Sequence, residues 1–184
     1  MDPIEALRNE HVLIRQFVDL LSVAVERLEI EELPPRAFFD GGIDFVRGFS
    51  DGFHHKKEEL VMFRQLAQKK DGAIDGQIEA LRYQHDQGRN FIQAIAGALD
   101  GYADGDQGDV SIVRENAASF ASLLKHHIHI EDHIFFPMSQ EEMSAQELEE
   151  LGHKFEKVQE KHGSDTFERY RKLVNDLDEM LGER

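Results

Sequence analysis

Apolar residues recur along this chain at intervals of three and four, the spacing that one buried face of a helix requires. No stretch alternates apolar and polar residues over several positions, so the pattern does not favour strands. In the first segment the recurring positions are Ile4, Leu7, Ile14, Val18, Leu21, Val25 and Leu28. His11 occupies a position of the same stripe. The sequence therefore predicts an all-α protein with a histidine on an inward helix face.

A second and a third helix are predicted beyond Pro34-Pro35, which ends the first. The second covers roughly residues 38–68, although its several glycines disfavour a regular start. The third carries an apolar stripe from Ile74 to Leu99, and His85 falls on that stripe.

The fourth long helix is predicted from an apolar stripe between Val113 and Ile134, and it is expected to end near Pro137. A loop rich in Gly and Asp over 100–108 separates it from the third. Two shorter amphipathic helices follow, the first opened by a capping box of Ser144 and Glu147. We expect one domain over residues 1–184, with an up-and-down four-helix bundle over 1–138 and a C-terminal helical appendage over 139–184.

Composition narrows the chemistry. The chain has 37 acidic and 21 basic side chains, a formal charge of −16, and no basic patch to bind nucleic acid or an anionic membrane. No apolar run approaches the ~20 residues of a membrane span, and the start lacks the features of a secretory signal, so we expect a cytoplasmic protein. The absence of cysteine excludes disulfides, thiolate metal sites and cysteine nucleophiles. Any metal would be bound by carboxylates and by some of the ten histidines.

Two His-x3-Glu pairs stand on helix faces that the apolar stripes turn inward. They are His54 with Glu58 and His127 with Glu131. Four residues advance a helix by little more than one turn, so the members of each pair share a face. In the second helix the pair lies closer to the apolar direction than His55 and Glu59 do. We therefore expect His55 and Glu59 to face solvent. On the fourth helix we expect the same of His126.

The fourth helix contains several histidines, and the direction of its stripe, at about 100° per residue, separates them. His127 and Glu131 fall on the stripe together with Ile134. His129 and His133 point well away from it. The inward pair of this helix is therefore His127 with Glu131.

An internal repeat relates the two halves of the chain. His11 precedes His54 by 43 residues, and His85 precedes His127 by 42. Each half thus consists of a helix with one inward histidine followed by a helix with His-x3-Glu. Two such hairpins facing each other would bring four histidines and two glutamates to one place.

Buried imidazoles and carboxylates on apolar stripes are costly unless they are paired or bound to metal. Two metal ions bridged by both glutamates, each with two imidazoles, would satisfy the whole set: His11, His54, Glu58, His85, His127 and Glu131. Imidazole and carboxylate ligands without thiolate favour iron, with manganese or zinc as alternatives. A ferritin-like site needs two Glu-x-x-His motifs and further glutamates, and Glu150 with His153 is a single one.

Four segments resemble the signatures of the hemerythrin-like HHE cation-binding family. They are Glu10-His11, His54-His55-Lys56-Lys57-Glu58-Glu59, Gln84-His85-Asp86-Gln87-Gly88-Arg89 and the run from His127 to Pro137. The resemblance covers residues 4 to about 138 and implies a four-helix bundle around a non-haem di-iron centre with the same six ligands. Arg89 stands where oxygen-carrying hemerythrins have a further histidine. The set is therefore similar to the four-histidine branch, which includes iron-sensing and nitrosative-stress repair proteins.

Three functions are compatible with these residues. The leading hypothesis is a di-iron protein that binds or senses oxygen or a related small ligand at an open coordination position. The second is a di-iron enzyme that consumes oxygen, peroxide or nitric oxide, although no residue is assigned a catalytic role. The third is a structural metal module that binds a protein partner through its acidic surface or C-terminal helices. Arg15 and Arg89 are expected either to contact the bridging carboxylates or to face solvent.

Overall fold

All regular elements are helical in the residues that the computed structural model describes, which are 2–67, 69 and 72–182. In chain order they are α1 (Pro3–Glu29), α2 (Arg36–Phe45), π1 (Val46–His55), π2 (Glu58–Met62), α3 (Phe63–Leu66), α4 (Asp75–Ala103), α5 (Gln107–Ile130), π3 (Glu131–Phe135), α6 (Phe136–Glu142), α7 (Ala145–His162) and α8 (Thr166–Leu181). The segments from α2 to α3 form one continuous second bundle helix, and α5, π3 and α6 form the fourth. The predicted all-α bundle with additional C-terminal helices is confirmed.

Helix packing closes the four long helices into a bundle. Helix α4 packs along α5, α1 packs along α5, and α2 packs against α4. Helix α8 lies across α1 and α2, and α7 contacts α1 and π2. None of these helices combines the length and the apolar run that a bilayer crossing needs.

The apolar core is divided in two by the predicted polar residues. One cluster includes Ile14 and Leu124, and the other includes Leu7 and Phe135. On α1, His11 lies between the two clusters, and each of the other predicted histidines takes the same place on its own helix. The site is therefore a polar layer with packed apolar side chains above and below it.

Two of the π segments begin at the predicted glutamates. The amide of Phe63 donates to the carbonyl of Glu58, and the amide of Phe136 donates to the carbonyl of Glu131, each five residues back. A wide turn of this kind inserts extra backbone into a helix and is common at functional sites. It appears at the same place in both halves of the internal repeat.

The fourth helix continues past Pro137 to Glu142, although the sequence predicted that it would end near Pro137. The wide turn before the proline determines which carbonyl loses its backbone donor. In the register of the wide turn, residue 137 would donate to the carbonyl of Asp132, and proline has no amide hydrogen to donate. Nη2 of Arg8 donates to that carbonyl instead, at 3.3 Å. The prediction that Ile134 faces inward is also wrong: Ile134 is 57% exposed, because the extra residue per turn shifts the buried face to Phe135.

The predicted loop over 100–108 is mostly helix, since α4 continues to Ala103 and α5 begins at Gln107. A Cβ at Gly101 would lie 1.7 Å from Oδ2 of Asp109, so this glycine allows the two helices to approach closely rather than marking a loop. The hydroxyl of Tyr102 donates to the carbonyl of Pro34 at 2.6 Å, which fixes the end of α4. At the other break, the predicted end of the second helix at Gln68 lies outside the described residues.

The C-terminal helices begin as predicted and pack through small residues. Ser144 and Glu147 form the capping box of α7 in both directions. On α8, Tyr170 packs against the rings of Phe45 and Phe49. A Cβ at Gly48 would lie 1.7 Å from the hydroxyl oxygen of Tyr170. Gly48 is therefore what allows α8 to sit on the second bundle helix.

Substituting alanine for Gly48 tests this docking. We expect G48A to lower the free energy of unfolding by about 1–3 kcal/mol, because the new methyl group displaces Tyr170. Gly97 is the matched control, since it is helical and exposed, and a Cβ there would meet nothing within 4 Å. G97A should raise the free energy of unfolding by up to about 1 kcal/mol through helix propensity. Denaturant unfolding measures both, and equal effects of the two substitutions would contradict this account.

Candidate metal centre

All six predicted residues meet in the polar layer between the two apolar clusters. Each is at most 3% exposed: His11, His54, Glu58, His85, His127 and Glu131. Their ligand atoms, together with one ring nitrogen of His55, form two groups, within which the atoms lie no more than 4.8 Å apart. The first group contains His11, His54, Glu58 and Glu131, and the second contains His55, Glu58, His85 and His127. Glu58 belongs to both groups, so the two sites adjoin.

The spacing of the imidazole nitrogens suits ligation. Nε2 of His11 lies 3.0 Å from Nε2 of His54, and Nε2 of His85 lies 3.1 Å from Nε2 of His127. Two nitrogens that are each about 2.1 Å from one ion and at right angles are about 3.0 Å apart. Each histidine pair therefore has the separation of neighbouring ligands on one ion.

The two glutamates carry the strongest indication of a cation site. All four of their carboxylate oxygens are buried, and none has a hydrogen-bond partner in the described part of the chain. Oε2 of Glu131 lies 3.1 Å from Nε2 of His127 and 3.3 Å from Nε2 of His11. Oε2 of Glu58 lies 3.5 Å from Nε2 of His85. Unpaired carboxylates in an apolar interior are strongly unfavourable, and metal ions at these positions would neutralise them.

Each of the four histidines is oriented through its other nitrogen. Nδ1 of His11 lies 2.8 Å from Asp132, that of His54 2.9 Å from Glu10, that of His85 2.7 Å from Glu59 and that of His127 2.8 Å from Gln84. An acceptor on Nδ1 places the proton there and leaves the lone pair on Nε2. This is the arrangement that metal-ligating histidines adopt in proteins.

The internal repeat extends into this outer layer. Asp132 follows Glu131 and orients His11, just as Glu59 follows Glu58 and orients His85. The residues that precede His11 and His85 also correspond. Glu10 orients His54 in the first half, and Gln84 orients His127 in the second. The rings that follow the wide turns also correspond, since Phe136 stacks on His11 and Phe63 on His85.

The two halves differ in charge at one point of this outer layer. Glu10 also accepts from Nζ of Lys57, which is buried and lies 3.7 Å from the ring centre of Phe53. In the second half, the positions of Glu10 and Lys57 are taken by the uncharged Gln84 and Ile130. A buried ion pair thus supports His54, whereas a neutral amide supports His127.

Burial and neighbouring charges shift the pKa values of the cluster. Burial, together with the charges of His11 and His55, lowers the pKa of His54 to about 4 despite its bond to Glu10. Burial and the neighbouring histidines also lower the pKa of His85 well below 6.5. These two imidazoles are therefore neutral at neutral pH and need lose no proton to bind a metal.

The two glutamates shift in opposite directions. Burial and the charge of Glu131 raise the pKa of Glu58 well above 4.5. Burial alone would raise the pKa of Glu131 too, but the adjacent His127 and His11 lower it well below 4.5. The metal-free pair therefore favours one negative charge, on Glu131.

Two residues that were expected to face solvent belong to the site. His55 is only 6% exposed, and Glu59 accepts from both His85 and Arg89. The error for His55 has the same cause as that for Ile134, because His55 ends the π1 segment, where a step of 100° per residue does not apply. His126, like His129 and His133, is exposed as predicted.

Arginines contact the outer carboxylates rather than the bridging ones. Arg15 pairs with Asp132, and Arg89 donates to Glu59 at 2.6 Å, to Asp51 at 2.8 Å and to Asp86 at 2.7 Å. The two arginine side chains are still 37–44% exposed, so they are neither buried partners of the bridging glutamates nor free surface groups. The matching positions of the two arginines in the repeat were the sequence signal for this role.

Comparison with known proteins agrees with the geometry. The sequence profile of the hemerythrin HHE cation-binding domain matches residues 2–139, which confirms the resemblance drawn from the motifs. Uncharacterized proteins from Mycobacterium bovis and from two strains of Mycobacterium tuberculosis are 25% identical over 179 residues, covering 97% of this chain and 69% of each relative. No solved structure gives a significant match.

Opposite effects of removing the two carboxylate charges are expected in the metal-free protein. Because the folded-state pKa of Glu58 is raised, its ionisation lowers stability as pH rises above 4.5. Glu58→Gln should therefore raise the free energy of unfolding at pH 7 by about 1 kcal/mol or more, and the gain should shrink towards pH 4. Glu131→Gln should lower it, because Glu131 is held in its charged form. Urea unfolding of chelator-treated protein across pH measures both, and effects of the same sign would be inconsistent with this charge assignment.

Proposed function

The chain belongs to the family of hemerythrin HHE cation-binding domains, and on that premise we propose that it holds two iron ions and binds oxygen or a related small ligand. The ligands of the ions are His11, His54, Glu58, His85, His127 and Glu131. When bound, iron supplies an open coordination position and reversible one-electron chemistry.

The sharing of Glu58 between two groups of ligand atoms carries the proposal for two ions. The Nε2 atoms of each histidine pair lie 3.0 or 3.1 Å apart. A single ion could be bound by only one of these pairs and would leave the nitrogens of the other pair without a cation. Two ions give every buried carboxylate oxygen and every Nε2 a cation within reach. The preference for iron follows from nitrogen and oxygen ligands without thiolate, and manganese and zinc are the alternatives to be tested.

A small void beside the second ligand group supports the binding of a small ligand. Its volume is ≈ 10 Å³, and its walls include His55, Gln84, His85, Gly88, Phe120 and His127. A void of about this size holds one water molecule or a ligand not much larger. Phe120 and Leu124 make part of its wall apolar, which favours an uncharged ligand such as oxygen over a hydrated ion.

Metal content tests the ligand assignment. Protein expressed with sufficient iron should contain about two iron ions per chain by elemental analysis. His127→Ala should lose about one of them, because it removes one of the two nitrogens of the His85–His127 pair. His129→Ala and His133→Ala are matched controls on the same helix, and they should retain both ions because their side chains are exposed. Equal loss in all three variants, or no metal in the unaltered protein, would refute the assignment.

Anaerobic reduction followed by oxygen titration separates the candidate functions. A binding or sensing protein should take up a stoichiometric amount of oxygen and form a stable absorbing species that reverses on removal of oxygen. Continued consumption of oxygen with excess reductant would identify an enzyme. No uptake by fully iron-loaded protein would favour a structural metal module. The optical spectrum and an oxygen electrode, read together, distinguish the three.

A further inference from the structure

His55 is the one buried histidine of the cluster that the six-residue ligand set does not use. It is 6% exposed, and one of its ring nitrogens lies within 4.8 Å of the ligand atoms of Glu58, His85 and His127. Resting on the proposed function, we propose that His55 is a fifth imidazole ligand and that it completes the second metal position.

The two ligand groups are unequal without it. In the first group, two histidines are joined by both Glu58 and Glu131, which makes four ligating side chains. In the second group, His85 and His127 are joined by Glu58, and His55 takes the fourth place. Glu131 approaches His127 of this group at 3.1 Å but does not lie close to all of its members. The corresponding position in the other half of the chain is Ile128, which follows His127 as His55 follows His54 and contributes no ligand atom. His55 is thus an addition to the repeated plan, in the half whose ligand group lacks a fourth member without it.

The hydrogen bonding of His55 is that of the other four ligands. Its Nδ1 lies 3.3 Å from Oδ1 of Asp51, a carboxylate that accepts only. The proton therefore lies on Nδ1, and the lone pair lies on Nε2. Nε of Arg89 donates to the same oxygen of Asp51 at 2.8 Å and holds that carboxylate in place. His55 thus has the carboxylate–histidine arrangement that prepares a nitrogen for a metal.

The present position of the ring shows that loading must move it. The rings of His55 and His85 are stacked with centroids 3.7 Å apart and planes 15° apart. The lone pair of an imidazole nitrogen lies in the ring plane. Two stacked, nearly parallel rings therefore cannot both direct lone pairs at one ion.

Ligation by His55 consequently requires a side-chain rotation out of the stack. The contact between Nδ1 of His55 and Asp51, 3.3 Å, is longer than the 2.7–2.9 Å contacts that orient the other four histidines, so it holds this ring less firmly. Metal binding would then replace a ring stack with a coordination bond.

The experiment uses the full-length iron-loaded protein. His55→Phe keeps an aromatic ring over His85 but removes both nitrogens, and we expect it to release one of its two ions to EDTA at least about tenfold faster than the unaltered protein. The other ion should be released at the unaltered rate. His126→Phe, at an exposed position, is the control and should release both ions at the unaltered rate.

Rescue by free imidazole separates ligation from packing. His55→Ala opens a space for an added imidazole, which should restore retention of the second ion, whereas His55→Phe fills the space and should gain nothing. Retention of both ions by His55→Phe at the unaltered rate, or failure of imidazole to rescue His55→Ala, would overturn the proposal. Either result leaves the two-iron site standing, while failure of the proposed function would appear as absent metal in the unaltered protein.

Discussion

The structure depends on two glutamate side chains that are buried in an apolar bundle and that receive no hydrogen bond from any residue in the described part of the chain. Glu58 and Glu131 present four carboxylate oxygens to a space bordered by imidazole nitrogens. Burial of such charges would oppose folding strongly if nothing compensated for it. These oxygens lie at one level of the bundle because the apolar core is divided there and because the wide helical turns begin there. The outer acceptors that orient the histidines lie around the same level.

Position and chemistry are controlled by different layers of the site. The apolar clusters above and below fix the height of each ligand, and the wide turns after Glu58 and Glu131 fix its rotation. The outer acceptors then set the tautomer of each imidazole, so that the lone pairs converge. Because the neutral Gln84 stands in one half where the ion pair of Glu10 and Lys57 stands in the other, the two ligand groups have related geometry but different electrostatic surroundings.

The sequence predicts the site better than its surroundings, for physical reasons. His11 and His85 lie in regular α-helix, where a step of about 100° per residue holds, and they were placed on the inward face from periodicity alone. His55 and Ile134 were placed on the wrong face because they lie in π segments, whose turns are wider than those of an α-helix. The amino-acid composition of these segments does not reveal the wider turns. The prediction of a loop over 100–108 was wrong because glycine can mark either a chain reversal or a close contact between helices. Gly101 allows a close contact between helices. Acceptors such as Asp132 were not identified because they act across the bundle, 121 residues from the histidine they orient.

The exchange of these acceptors between the two halves has a consequence for the architecture itself. Asp132 of the second hairpin orients His11 of the first, and Glu59 of the first orients His85 of the second. Two reciprocal bonds of this kind are the mark of an isologous interface, in which each partner gives the other what it receives. The bundle is thus the fused equivalent of a symmetric dimer of hairpins. Neither hairpin by itself is half of the complete site, since each holds one of the two orienting groups of the other.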